Sequence, residues 1–244
     1  MITDQLRSHH LVFTGTAADI FSADFLRSLG WAATIIGLPV AILIWCRWWI
    51  KHIAVTDGTT FEFSGTVKRS FLLTVLSILA PLPQEIARAI GISGSLDRSL
   101  GLGLLVALPI LISLYLLGAF ILPALVQREF LKWWCADTQP SQGSGVTFIG
   151  HAWPYIGWNV AHVLSIFTII GWPWVFRAYA RWVCNNITST GRRFHFVGSG
   201  IDILWRGSAT FIVCCGIVTL PWALVWFARW FFRNITVELA DNNG

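Results

Sequence analysis

Between Phe148 and Gly198 the chain reads FIGHAWPYIGWNVAHVLSIFTIIGWPWVFRAYARWVCNNITSTGRRFHFVG. The stretch opens and closes on Phe-x-Gly, at Phe148–Gly150 and at Phe196–Gly198. Between these lie an apolar segment, a Gly171-Trp-Pro173 break, a second apolar segment ending in Arg181-Trp182, and then Asn186. Phe-x-Gly also occurs at Phe13–Gly15 and Phe63–Gly65, so the four occurrences are spaced by 50, 85 and 48 residues.

Other offsets repeat with it. Pro39, Pro173 and Pro221 follow the Phe of their copy by 26, 25 and 25 residues, and Arg47-Trp48, Arg181-Trp182 and Arg229-Trp230 each begin eight residues after that proline. Thr34-Ile-Ile-Gly37-Leu-Pro39 echoes Thr168-Ile-Ile-Gly171-Trp-Pro173, and Asn186-Ile-Thr188 echoes Asn234-Ile-Thr236. In the second copy the proline is Pro123, and the Arg-Trp pair is replaced by Lys132-Trp133, one position out of register. Internal repetition means a unit that buries its apolar face against its neighbours. The expected organisation is one domain over 1–244 made of four copies, 13–62, 63–147 with an insertion, 148–195 and 196–244. Asp57-Gly58 before Phe61-Glu-Phe63, and Gly191 before Phe194-His-Phe196, predict tight turns followed by alternating strands. Gly143 to Gly150 is a weaker version.

Composition points to lipid. Of 244 residues 55% are apolar and 12% charged, and mean hydropathy is +0.66; a soluble domain carries about twice that share of charge. Leu100 to Val126 is a run of 27 residues without a charge, long enough to cross a hydrocarbon core of about 30 Å. Fifteen tryptophans, many beside a basic residue, suit a membrane–water interface. With a net charge of +5 and its cations beside apolar runs, the chain is expected to meet anionic lipid headgroups rather than nucleic acid. Five scattered cysteines without a CxxC argue against a disulfide scaffold, and the N-terminus has no signal-peptide pattern.

Thirteen of the 17 Lys and Arg fall on the Arg-Trp and Phe-x-Gly side of the copies. If each copy is a helical hairpin, these face one side, which the positive-inside rule makes the cytoplasm. The fold expected is therefore an all-α membrane protein of repeated transmembrane or re-entrant helical hairpins joined by short cytoplasmic β-hairpins. Its location would be a bacterial inner membrane, multi-pass, with both termini cytoplasmic.

The constellation Phe-x-Gly, Thr-x-x-Gly-x-Pro-Trp, Arg-x-x-x-Arg-Trp and Asn-x-x-x-x-Gly-x-x-Phe-x-Phe-x-Gly resembles the YjgN family of bacterial inner-membrane proteins, best over Phe148 to Gly198. The resemblance implies an inner-membrane, multi-span protein and brings no activity and no catalytic residues. Copy one departs from the pattern at Leu38-Pro39-Val40, where aromatics are expected.

Ionisable groups within apolar segments are functional candidates by default. His162 and Asn159 are three residues apart on one helical face, as a polar lining or as an interhelical bond. Glu85 and Arg88 form either a local ion pair or a gate. Arg47, Trp48, Arg181, Trp182, Arg229 and Trp230 read as lipid-headgroup anchors, with Arg supplying a fork for phosphate and Trp a ring at headgroup depth. Asp19, Asp24 and Arg27 suit the wet face of an interfacial helix. No Walker A, HExxH, GxSxG or dinucleotide fingerprint occurs, and His and Cys never cluster at metal spacing. No cofactor, metal or catalytic residue is therefore expected, and an enzyme is disfavoured. Repetition and broken helices suggest a transporter or channel-like protein. The alternative is a membrane scaffold that recruits a partner through its β-hairpins. A homo-oligomer is compatible with either.

Overall fold

A computed structural model of the chain describes residues 8–34, 36–96, 101–143, 145–168, 170–189, 191–214 and 219–239. Phe13, Phe63, Phe148 and Phe196 each end a strand: β1 (Ser8–Phe13), β3 (Phe61–Phe63), β5 (Val146–Phe148) and β7 (Arg192–Phe196). The strands that follow the Arg-Trp helices are β2 (Ile53–Val55), β4 (Thr138–Pro140), β6 (Ile187–Ser189) and β8 (Ile235–Leu239). Each Phe strand pairs antiparallel with the strand at the other end of its own copy, with Phe13 opposite Ile53, Phe63 opposite Thr138, Phe148 opposite Ile187 and Phe196 opposite Ile235. One further backbone bond ends every pair. Thr14, Ser64, Ile149 and Val197 donate to the carbonyls of His52, Asp137, Asn186 and Asn234 at 2.8–2.9 Å.

The turns between copies hold Gly58, Gly143 and Gly191, all at positive φ (90°, 96° and 71°), a region open to glycine at no steric cost. Six strands form one curled sheet in the order β2-β1-β8-β7-β6-β5. The β3–β4 pair adjoins β2 through the Ala54–Thr60 bridge and runs into β5 through the Gly143 turn. The eight strands thus follow one another around a ring that, among the described residues, has no ladder between β4 and β5.

The expectation of an all-α protein with small local β-hairpins is overturned by this sheet. Each strand is three to six residues long, and its partner within the copy lies beyond an intervening helical pair. Local alternation reveals the tight turn and hides that long-range ladder. The expectation of repeated membrane-crossing hairpins is overturned as well. Among the described residues two helices are long and apolar enough to cross a bilayer, Val67–Gly91 and Ala107–Ala136, and both belong to the second copy. Elsewhere the helices are α1 (Ala17–Ile20), α2 (Ala23–Ala32), α3 (Leu38–Lys51), α8 (Ala152–Phe167), α9 (Trp172–Asn185), α10 (Gly200–Cys214) and α11 (Leu220–Arg233). At 16 residues or fewer they fall short of the roughly 20 a span needs.

In the second copy the chain forms α4 (Val67–Leu79), α5 (Leu82–Leu96), α6 (Gly101–Leu116) and α7 (Leu122–Ala136), with a π-helical turn over Leu117–Ile121. That turn lies where Gly118 meets the Gln84 backbone so closely that a Cβ would collide with it. Only 28% and 11% of the two apolar windows are buried. The core helix of a soluble protein would be mostly buried.

The repeated side chains have local tasks. The Thr34 and Thr168 hydroxyls accept the Gly37 and Gly171 N–H at 3.1 and 3.0 Å and shape the bend into α3 and α9. Proline then occupies the first turn of α3, α7, α9 and α11, where its missing N–H costs nothing. At the far ends, carbonyls left without an intrahelical donor need partners. Asn186 and Asn234 donate to the carbonyls of Trp182 and Trp230 at 2.8 and 2.7 Å, Thr138 to that of Trp134 at 2.7 Å, and the His52 Nδ1–H to that of Trp48 at 2.7 Å.

Candidate functional site

Alternation along eight short strands aims one set of side chains at the inside of the ring, and there they line a cavity of about 510 Å³. Its wall has three tiers of four. Leu11, Phe61, Val146 and Phe194 stand two residues before the Phe of each Phe-x-Gly. Ile53, Thr138, Ile187 and Ile235 begin the returning strands. Ile50, Cys135, Cys184 and Phe232 stand in the last turn of α3, α7, α9 and α11. Eight of these twelve side chains are bulky: Leu11, Ile50, Ile53, Phe61, Ile187, Phe194, Phe232 and Ile235. The other four are the smaller Val146, Thr138, Cys135 and Cys184, all within copies two and three.

From there the cavity runs between helices to Ser77 on α4, to Val126, Gln127 and Phe130 on α7, and to Tyr155, Phe176 and Tyr179 on α8 and α9. Ser77 and Gln127 are exposed and lie on the two helices long enough to enter a bilayer. The polar pair inside is self-satisfied: the Tyr155 and Tyr179 hydroxyls hydrogen-bond each other at 2.7 Å. At the turn end Arg192 bridges the ring. Its Nη2 lies 3.1 Å from the Asp57 carboxylate, and both Nη atoms donate to the buried Thr59 hydroxyl at 3.1 Å. With side chains 13% and 18% exposed, this ion pair ties the start of β7 to the turn between β2 and β3. The cavity is an apolar chamber.

The side chains singled out from the sequence lie elsewhere. His162 Nδ1–H donates to its own-helix Trp158 carbonyl at 2.7 Å, and its ring meets Tyr179 edge-on at 5.2 Å. Asn159 reaches the Phe120 carbonyl in the π-turn at 3.5 Å, near the limit for a hydrogen bond. The two share a face of α8 and serve different neighbours. Glu85 and Arg88 pair at 3.3 Å with both side chains more than half exposed, an arrangement worth at most about 1 kcal/mol.

The arginines of the Arg-Trp pairs reach into the next copy. Arg47 donates to the Gly65 carbonyl at 3.3 Å, Arg181 to that of Phe196 at 3.2 Å and Arg229 to that of Gly15 at 2.9 Å. In copy two the role falls to Arg128, one helical turn before Lys132, which donates to the Gly150 carbonyl at 2.9 Å. Sequence reading missed Arg128; its i,i+4 spacing to Lys132, matching Arg177 and Arg181, was the available signal. Trp48, Trp182 and Trp230 are half-buried and turned onto protein. Trp48 packs on Phe13 and His52, Trp182 on Phe148 and Tyr155, and Trp230 on Phe227 and the Arg206 guanidinium.

No family model, curated protein or solved structure matches the chain.

Proposed function

We propose that this chain is a membrane-inserted binding protein that takes a single hydrocarbon chain, such as the acyl chain of a lipid, into its strand ring. One observation carries the reading. All eight strands contribute side chains to one apolar chamber, and that chamber continues to Ser77, Val126 and Gln127 on the helices suited to a bilayer. Its volume lies within the range of roughly 300–1,000 Å³ usual for small-molecule sites. The bilayer placement draws support from the exposed apolar side chains of the helices, among them Ile110, Phe211 and Ile212 at 62–74% exposure. A bacterial inner membrane, as the YjgN resemblance implies, is part of the same proposal.

Transport of ions is the weaker reading. His162 and Glu85 do not line the chamber, and both are engaged by near neighbours on their own helices. Recruitment of a partner strand is weaker too, because β2, one end of the six-stranded sheet, is bridged to β3 at Ala54–Thr60, and β5, the other end, lies against β4.

The test is titration of detergent-solubilised protein with a polyene fatty acid whose emission rises in an apolar site. Wild type is expected to show saturable, equimolar binding. Cys184→Phe and Cys135→Ile give those positions the residues of copies four and one, fill the chamber, and are expected to weaken binding about tenfold or more. Unchanged affinity in folded variants, or no saturable binding by folded wild type, overturns the proposal.

A further inference from the structure

Outside the ring, where α1 and α2 meet α3, lies a second cavity of about 470 Å³ whose wall includes Asp19, Arg27, Arg47, Trp48, Lys51 and His52. Its chemistry is opposite to that of the chamber. Three permanent cations face it against a single carboxylate, and Arg47 and Lys51 stand one turn apart on the same face of α3.

The carboxylate is already committed. Asp19 accepts the Thr16 backbone N–H at 2.7 Å and the Thr16 hydroxyl at 2.8 Å, closing the cap of α1, and lies 3.7 Å from His52 Nε2. Those bonds, from the Thr16 backbone first and then its hydroxyl, hold the Asp19 carboxyl below its usual range. Arg47 gives Nη2 to the Gly65 carbonyl, leaving the rest of its fork for another acceptor. Among the described residues no ion pair joins Arg27, Arg47 or Lys51 to a carboxylate. The negative end of the α3 dipole accounts for Lys51 in its last turn. It does not account for Arg27, which comes from a different helix and faces the same hollow.

We infer that this hollow binds a phosphate-bearing anion, with Arg27, Arg47 and Lys51 as its charged ligands. Guanidinium forks match phosphate oxygens in pairs, and a lysine adds a point charge. Trp48, packed at a tilt against Phe13 and His52 with ring centroids 5.9 and 4.8 Å away, forms one wall of the hollow. The phosphate is either free in solution or the headgroup of a lipid. The inference is independent of the apolar chamber, because the linings of the two cavities share no residue.

The experiment uses the full chain in uncharged detergent, titrated with inorganic phosphate by calorimetry. In parallel, the same protein is captured on nanodiscs of phosphatidylcholine with and without phosphatidic acid. The variants are Arg27→Gln and Lys51→Gln, which leave the Arg47–Gly65 bond in place. Saturable phosphate binding weakened about tenfold in each variant supports a site for the free anion. Capture that depends on phosphatidic acid, lost in both variants and without response to inorganic phosphate, supports a headgroup site. Folded wild type that responds to neither probe overturns the inference, as does binding that both variants retain in full.

Discussion

Arg229 Nη2 donates to the Gly15 carbonyl at 2.9 Å across 214 residues of sequence. Arg47, Arg128 and Arg181 make the corresponding bonds to Gly65, Gly150 and Phe196. Each ties the last helix of one copy to the first loop of the next, and Arg229 ties the last copy back to the first. Beside it β8 pairs with β1, His9 opposite Val237. The ring is therefore closed by a strand ladder and a charged bond together.

Removing that bond should loosen the closure without removing the copies. Arg229→Gln leaves the half-buried Gly15 loop without its charged donor, and a hydrogen bond to a charged group contributes about 1.5–3 kcal/mol. Denaturant unfolding in detergent should show a loss in that range. Arg229→Lys should recover part of it, because a lysine is a point charge on a more flexible stem. A midpoint unchanged in Arg229→Gln would mean that the β1–β8 ladder alone closes the ring.

Gly198 is the clearest packing test of the Phe-x-Gly unit. The ring of Phe196 folds back over the next glycine but one, and a Cβ at Gly198 would strike it, as would one at Gly15, Gly65 or Gly150 on its own phenylalanine. Phe196 is 3% exposed and packs at a tilt on Phe231, ring centroids 5.2 Å apart, so it has little room to yield. Gly198→Ala should cost about 1–3 kcal/mol. Gly157→Ala, in the middle of α8 with open space around its Cβ position, should be neutral or slightly stabilising, since alanine favours a helix by about 1 kcal/mol over glycine.

The periodic offsets already hold much of this arrangement. Phe-x-Gly marks the strands and Gly58 and Gly191 the turns, because each of these tasks is done within a few residues of chain. What could not be read locally is whom each unit touches. Phe13 pairs with Ile53 across an entire helical pair, and Arg181 finds its acceptor 15 residues on while Arg229 finds it 214 residues back. The same limit hid both cavities. Cys135 and Cys184 look like ordinary small apolar residues until the ring sets them beside Val146 and Thr138. Arg27 and Lys51 belong to different helices and converge only when α2 lies on α3. Apolar composition pointed to many spans because it records how much surface is greasy and leaves out how long each helix is.

Spin-label accessibility tests the bilayer contact of the second copy. Ile110 on α6 is 62% exposed, within the apolar window Ala107–Ala136, whereas Glu62 is an exposed residue of β3. In bilayers, a nitroxide at Ile110→Cys should be relaxed more by oxygen than by a water-soluble nickel chelate, and one at Glu62→Cys the reverse. Cys46, Cys135 and Cys184 are buried and should label slowly. Nickel dominance at Ile110 would place α6 in water and remove the lipid route into the chamber.

Acid should act first on the Asp57–Arg192 pair. Burial raises the Asp57 carboxyl, but the Thr59 hydroxyl and N–H together with Arg192 outweigh it and leave the carboxyl below its usual value. A carboxyl depressed by folding contributes stability that is complete above its unfolded pKa, about 3.9, and is lost as pH falls through the lower folded value. Wild type should therefore lose stability in steps of pH below about 4. Asp57→Asn leaves Arg192 buried without its counter-charge, so it should be less stable at neutral pH by about 3 kcal/mol and should respond less to acid in that window. Asp19 is depressed too, so the acid response should be reduced rather than abolished. Parallel acid profiles for wild type and Asp57→Asn, measured by denaturant midpoints from pH to pH, would show that the Asp57–Arg192 pair does not hold the turns together.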